Sequence, residues 1–181
     1  MPTHEELVGF FHRHLVPIYF SCQKEKDIQN FVVTYFVLSV SSQWFLITAG
    51  HCIHDIDRLI NKSGYQITKC YLIDSMSLGA KHPEPVPFDY KNSNPVCLSE
   101  DREFDYGVMV LSSYYRKLLE TNNVLALNEE VWKKQPTKVD FYMLLGVPLE
   151  LTKVNLNDFQ ITPTLHKVEA LSKRPDNFPE T

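Results

Sequence analysis

Glycine is the scarcest structural resource in this chain: six residues in 181, with none beyond Gly146. Chemistry that depends on glycine-flanked turns therefore has few places to sit. Long apolar runs are also missing, and nothing approaches the ~20 consecutive residues that span a bilayer. The opening segment, Met1-Pro-Thr-His-Glu-Glu, is polar and acidic where a secretory signal would be basic and then apolar. Basic charge is not in excess: 18 Lys and Arg stand against 22 Asp and Glu, a net charge of −4. That balance gives no broad attraction to phosphate backbones or anionic lipid, so neither nucleic acid nor membrane is expected as a partner. The four cysteines, Cys22, Cys52, Cys70 and Cys97, form no CxxC pair. Without an export signal they are expected as reduced thiols in a cytoplasmic protein.

What is present describes a packed β-rich domain. Hydrophobic residues make up 44% of the chain, with 11 Phe, 9 Tyr and 2 Trp, enough for a real core. Thr3-His-Glu-Glu6 is a capping box, and Leu7, Phe10, Phe11 and Leu15 follow at helical spacing. A short amphipathic helix is expected over residues 1–15, its turns at 4–15. Short runs rich in Val, Ile, Tyr and Phe then alternate with turn residues: 16–22, 30–40, 43–49, 66–73, 85–90 or 95–98, and 106–111. Strands at this spacing point to an all-β barrel or sandwich across residues 16–112. Within 43–49 and 106–111, Phe45, Ile47, Val108 and Val110 are the expected inward residues. Residues 52–60 and 113–121 interrupt with helical patterning, and 113–137 is expected as a helical connector. Residues 138–181 hold about three further strands and an aperiodic tail.

The block with the most chemical content is Trp44-Phe-Leu-Ile-Thr48-Ala-Gly50-His51-Cys52. An apolar strand runs through small residues into a histidine, so that an imidazole projects from a rigid end, as a general base requires. Downstream lies Phe104-Asp105-Tyr-Gly107-Val-Met-Val-Leu111, where a carboxylate opens a second apolar strand. Together, in this order, the two blocks resemble those of the chymotrypsin/trypsin-like serine peptidases. Leu145-Gly146-Val-Pro148 is similar to a turn early in the second barrel of many bacterial-type members.

The resemblance implies a double β-barrel, the first complete and the second partial, with a short N-terminal helix. It implies a serine endopeptidase acting on a protein or peptide substrate, with His51 and Asp105 as catalytic residues and no cofactor. It further implies a nucleophilic serine between glycines, and here the chain departs. The only serine after Gly146 is Ser172, in Leu171-Ser-Lys-Arg-Pro. The chain is therefore expected to be a truncated or serine-lacking form, inactive alone and prone to associate through an unpaired second-barrel edge. The alternative is a non-catalytic module of the same fold that binds a protein partner. Tyr35, in Val33-Thr-Tyr-Phe36, replaces a glycine common in relatives and would need room. Cys52 matches the family's post-histidine cysteine without its usual partner; Cys22 is a candidate partner, and free thiols are favoured.

Plainer readings stand beside these. His51 alone could be a helix-cap histidine and Asp105 a strand-edge turn residue. His51, His54 and Asp55 invite a metal reading, but a zinc site needs three or four convergent ligands and no second cluster exists, so no metal is expected. His4, His12, His14, His82 and His166 are expected at the surface.

Overall fold

The structure is a computed structural model and describes residues 3–74, 81, 84–97, 105–133, 142–146, 152–155, 158–161 and 164–168. It opens with helix α1 (His4–His12). The capping box forms: the Thr3 hydroxyl accepts the Glu6 amide at 3.2 Å, and Glu6 accepts the Thr3 amide at 2.8 Å. The helix stops short of residue 15 because the chain there is claimed by a strand. Val16 N–H donates to Tyr35 O at 2.9 Å and Val37 N–H to His14 O at 2.8 Å.

Two four-stranded antiparallel sheets follow. The first has the order β2 (Asp27–Val33), β1 (Ile18–Lys24), β5 (Gln66–Leu72), β6 (Val86–Pro87). The second has the order β3 (Phe36–Val40), β4 (Gln43–Thr48), β8 (Gly107–Val110), β7 (Val96–Cys97). Residues 14–16 and 35–37 stitch one sheet to the other. No closed barrel forms among the described residues, so what is shown is coarser than the expected double barrel. The fold shown is β-rich and layered, with a short N-terminal helix.

One core serves both sheets. Ile18, Phe20, Cys70 and Leu72 from the first meet Val37, Trp44, Leu46, Met109 and Leu111 from the second, with Tyr35 fully buried among them. This reverses the expected inward face. Trp44, Leu46, Met109 and Leu111 point inward, whereas Phe45, Ile47 and Val108 are only half-buried and Val110 is 56% exposed. Both faces of β4 are apolar, so alternation alone could not choose between them. Because strand side chains alternate with a period of two, the wrong choice inverts all four residues together.

The chain leaves β4 through Ala49 into helix α2 (Gly50–Asp57), which continues as a single π-turn over Arg58–Lys62. Helix α3 (Ser113–Thr121) buries Leu119, and α4 (Glu129–Trp132) follows. Between them, residues 125–127 run along β3, where Leu127 N–H donates to Val37 O and Ser39 N–H to Leu127 O, each at 2.8 Å. Further on, β9 (Tyr142–Gly146) pairs with β12 (Thr164–Val168), and β10 (Thr152–Asn155) with β11 (Asp158–Ile161), both antiparallel. Val147, Pro148, His82 and Ser172 lie outside the described residues. No helix among those described is long and apolar enough to cross a membrane.

Candidate active site

Two strand ends build the site. β4 and β8 are neighbours, with Thr48 opposite Gly107, so the residues just past β4 and just before β8 emerge side by side. The Thr48 hydroxyl donates to Thr34 O at 2.8 Å and anchors the end of β4. Gly107 allows α2 to pack down on this junction: a Cβ there would lie 2.4 Å from Ile53 Cδ1. His51 stands in the first turn of α2, and Asp105 lies two residues ahead of β8.

The structure brings these two residues together across 54 positions of sequence. The His51 ring Nδ1 donates to Asp105 Oδ2 at 2.5 Å, and the His51 backbone amide donates to Asp105 Oδ1 at 2.7 Å. A bidentate carboxylate of this kind fixes both the ring and the backbone that carries it. With the Nδ1 proton held by Asp105, the remaining nitrogen, Nε2, is left as the basic lone pair. The His51 ring N–H, then its backbone amide, hold the Asp105 carboxyl below the usual carboxylate range.

Asp105 is expected from the sequence to open a strand. It lies instead in the segment leading into β8, and the His51 and Asp105 side chains are 67% and 49% exposed. The His51 ring is therefore largely open to solvent. Among the described residues, no hydroxyl or thiol is hydrogen-bonded to its Nε2.

Sequence reasoning missed one neighbour of the pair, Cys97, and expected the close approach of chain at the small residues before His51. The Cys97 thiol, opposite Gly107 on β7, donates to Gly50 O at 3.3 Å. Gly50 itself has no room for a side chain, since a Cβ would meet Asp105 Oδ1 and Tyr106 O at 2.9 Å and Cys97 Sγ at 3.1 Å. The Gly50-His51 dipeptide was the available signal. Cys52 faces away from solvent in part, and burial pushes its thiol up, with the Thr48 hydroxyl opposing and the Asp105 charge adding to the rise. None of the four cysteines is in a disulfide.

Tyr35 does not enter the site; its ring is in the core. His54 is exposed, and Asp55 pairs with Arg58 at 3.0 Å instead of turning toward His51. No group of three metal-ligating side chains converges among the described residues. His166 is exposed, but His14 is buried, a correction to its expected surface place. Its ring tucks under residues 125–127, with Nδ1 at 2.8 Å from Leu125 O. Comparison with known proteins returns no matching family model, no matching curated protein and no matching solved structure.

Proposed function

We propose that this chain carries the general base and its orienter of a trypsin-like serine endopeptidase, on a chymotrypsin-like scaffold. The observation that supports this most is the bidentate contact, Nδ1 to Oδ2 and backbone amide to Oδ1. Asp105 holds the tautomer and stabilises the imidazolium. His51 Nε2 takes the proton of an attacking serine hydroxyl and returns it to the leaving amine, and water then releases the acyl group through the same base. No cofactor takes part. The serine and the amides that would stabilise the oxyanion come from outside these two motifs, since no serine here sits between glycines.

A second reading, a non-catalytic module that engages a protein partner at this surface, is favoured by the exposure of the pair. Labelling with an active-site-directed fluorophosphonate, which needs an activated serine, tests the proposal. The 181-residue chain is expected to remain unlabelled. Labelling of a serine supplied in trans or in cis from outside residues 1–181, abolished by His51→Ala, supports the peptidase reading. Stoichiometric labelling within residues 1–181 contradicts the assignment of parts, and labelling indifferent to His51→Ala contradicts the role of the base.

A further inference from the structure

Strand β6 is short because the chain that follows it is diverted from the sheet. Phe88 N–H makes the last contact, to Cys70 O at 2.9 Å. The next amides go elsewhere: Asp89 N–H donates to the Tyr115 hydroxyl at 3.1 Å, and Tyr90 N–H bonds the Cys70 sulfur. Asn92 then closes a turn, its amide and its side chain donating to the two Asp89 carboxylate oxygens at 3.3 and 2.6 Å. Toward its start, β5 is thereby left without a neighbour on this side. Its ladder with β6 covers Tyr71 and Leu72, and residues 66–69 pair there with no strand among those described. A strand edge left open in this way offers main-chain donors and acceptors to a second chain.

The space between the open edge and the diverted chain is a cleft of about 480 Å³, bounded by Ile67 to Tyr71 on one side and Pro87 to Lys91 on the other. Its wall is aromatic, where Phe88 and Tyr115 pack edge to face with centroids 4.9 Å apart. Its rim is basic, in a chain whose net charge is −4. Lys69 and Lys91 are both exposed, and neither forms an ion pair among the described residues. Asp89, the carboxylate in this lining, already accepts from Asn92. We propose that this cleft docks an extended acidic segment of a partner protein, with its main chain along the β5 edge and its carboxylates toward Lys69 and Lys91. A small anion would use the lysines but neither the edge nor the aromatic wall, and a basic peptide would be repelled at the rim. The cleft lies on the first sheet, whereas His51 and Asp105 stand at strand ends of the second, so the proposal goes beyond the peptidase reading and does not rest on it.

Titration of the nitrogen-15-labelled full chain with the peptide acetyl-Glu-Val-Glu-Val-Glu-amide tests this by NMR. Saturable amide shifts are expected over residues 66–70 and 89–91, weakening as salt is raised. Lys69→Glu combined with Lys91→Glu is expected to lower the affinity about tenfold, since each reversal replaces a weak exposed attraction with a repulsion. Both side chains are exposed, so the fold is kept, and unchanged amides in β4 and β8 check this. The charge-reversed peptide acetyl-Lys-Val-Lys-Val-Lys-amide is expected to bind the double variant and not the parent. Absence of shifts at these amides up to millimolar peptide would mean that the lysines only guard the edge, and overturns the proposal. Equal affinity of parent and double variant overturns it as well, as do equal binding of the two peptides by the parent and the same shifts from free glutamate. The fluorophosphonate result bears on none of these readouts, so the two failures are distinguishable.

Discussion

At the scale of single residues, the largest fully buried side chain is Tyr35, and its hydroxyl makes no hydrogen bond among the described residues. Burial pushes this phenol well up, keeping it neutral. A buried hydroxyl without a partner costs folding free energy that its removal can return. Tyr35→Phe is therefore expected to leave the urea midpoint unchanged or raise it; a loss of more than about 1 kcal/mol would show a partner for the hydroxyl. Neighbouring positions on β4 give a second residue-scale contrast. Leu46 is fully buried, so Leu46→Ala is expected to cost ~2–5 kcal/mol in denaturant unfolding. Half-buried Ile47→Ala should cost clearly less, and the reverse order would restore the face expected from alternation. The site was more legible than the core at this scale. The contact between His51 and Asp105 was legible because each stands at the end of an apolar strand in one of two ordered sequence blocks. The inward face was not, because Trp44, Phe45, Leu46 and Ile47 are all apolar. His14 was misplaced for a related reason: nothing local indicates that the distant Leu125 carbonyl would receive its ring.

At the scale of elements, the turns and packed ends argue their own cases. Ser41 and Ser42 form the two-residue connection between β3 and β4, both with positive φ, at 49° and 66°. That backbone suits a tight hairpin and favours Asn and Gly over serine. Ser42→Gly relieves the cost of about 1–2 kcal/mol that a side chain incurs in this region against about 0.5–1 kcal/mol of added chain freedom, so a slightly higher thermal midpoint is expected; a lowered midpoint would contradict the turn geometry. The one long run at 30–40 separates into β2 and β3 because the chain at Thr34 and Tyr35 crosses from one sheet to the other, a change of partner that composition does not encode. The end of α1 reports on pH. His14 is buried against the 125–127 segment, and burial lowers the affinity of its ring for a proton from the ordinary 6.5, with the Leu125 carbonyl opposing. The unfolded chain then binds that proton more readily, so this contribution to stability is complete above about pH 6.5 and declines as pH falls below it. Burial lowers His12 in the same direction. Urea midpoints should thus fall from pH 7 to about pH 5, and His14→Asn, which retains a donor for Leu125 O, should flatten the decline; an unchanged slope would remove His14 from the account.

At the scale of the whole molecule, two four-stranded sheets share one core, and the chain places its thiols on both sides of that boundary. Cys22 and Cys70 are buried, while Cys52 and Cys97 are half-buried beside the His51–Asp105 pair. Burial raises the Cys70 thiol far above its usual range. A thiol reagent is expected to reach Cys52 and Cys97 first and all four only on unfolding; a bridge between Cys22 and Cys52 in native material would contradict the free thiols. The same arrangement puts the ends of β4 and β8 together, and the central claim rests on that junction: His51 is held by Asp105 through its Nδ1–H, with no partner on Nε2 among the described residues. Nitrogen-15 NMR of the His51 ring measures this directly at neutral pH. The account predicts that neutral His51 is fixed in the Nδ1–H tautomer, with a strongly deshielded Nδ1 proton that disappears in Asp105→Ala. A ring averaging between tautomers, or one protonated at Nε2 and indifferent to Asp105→Ala, would contradict it.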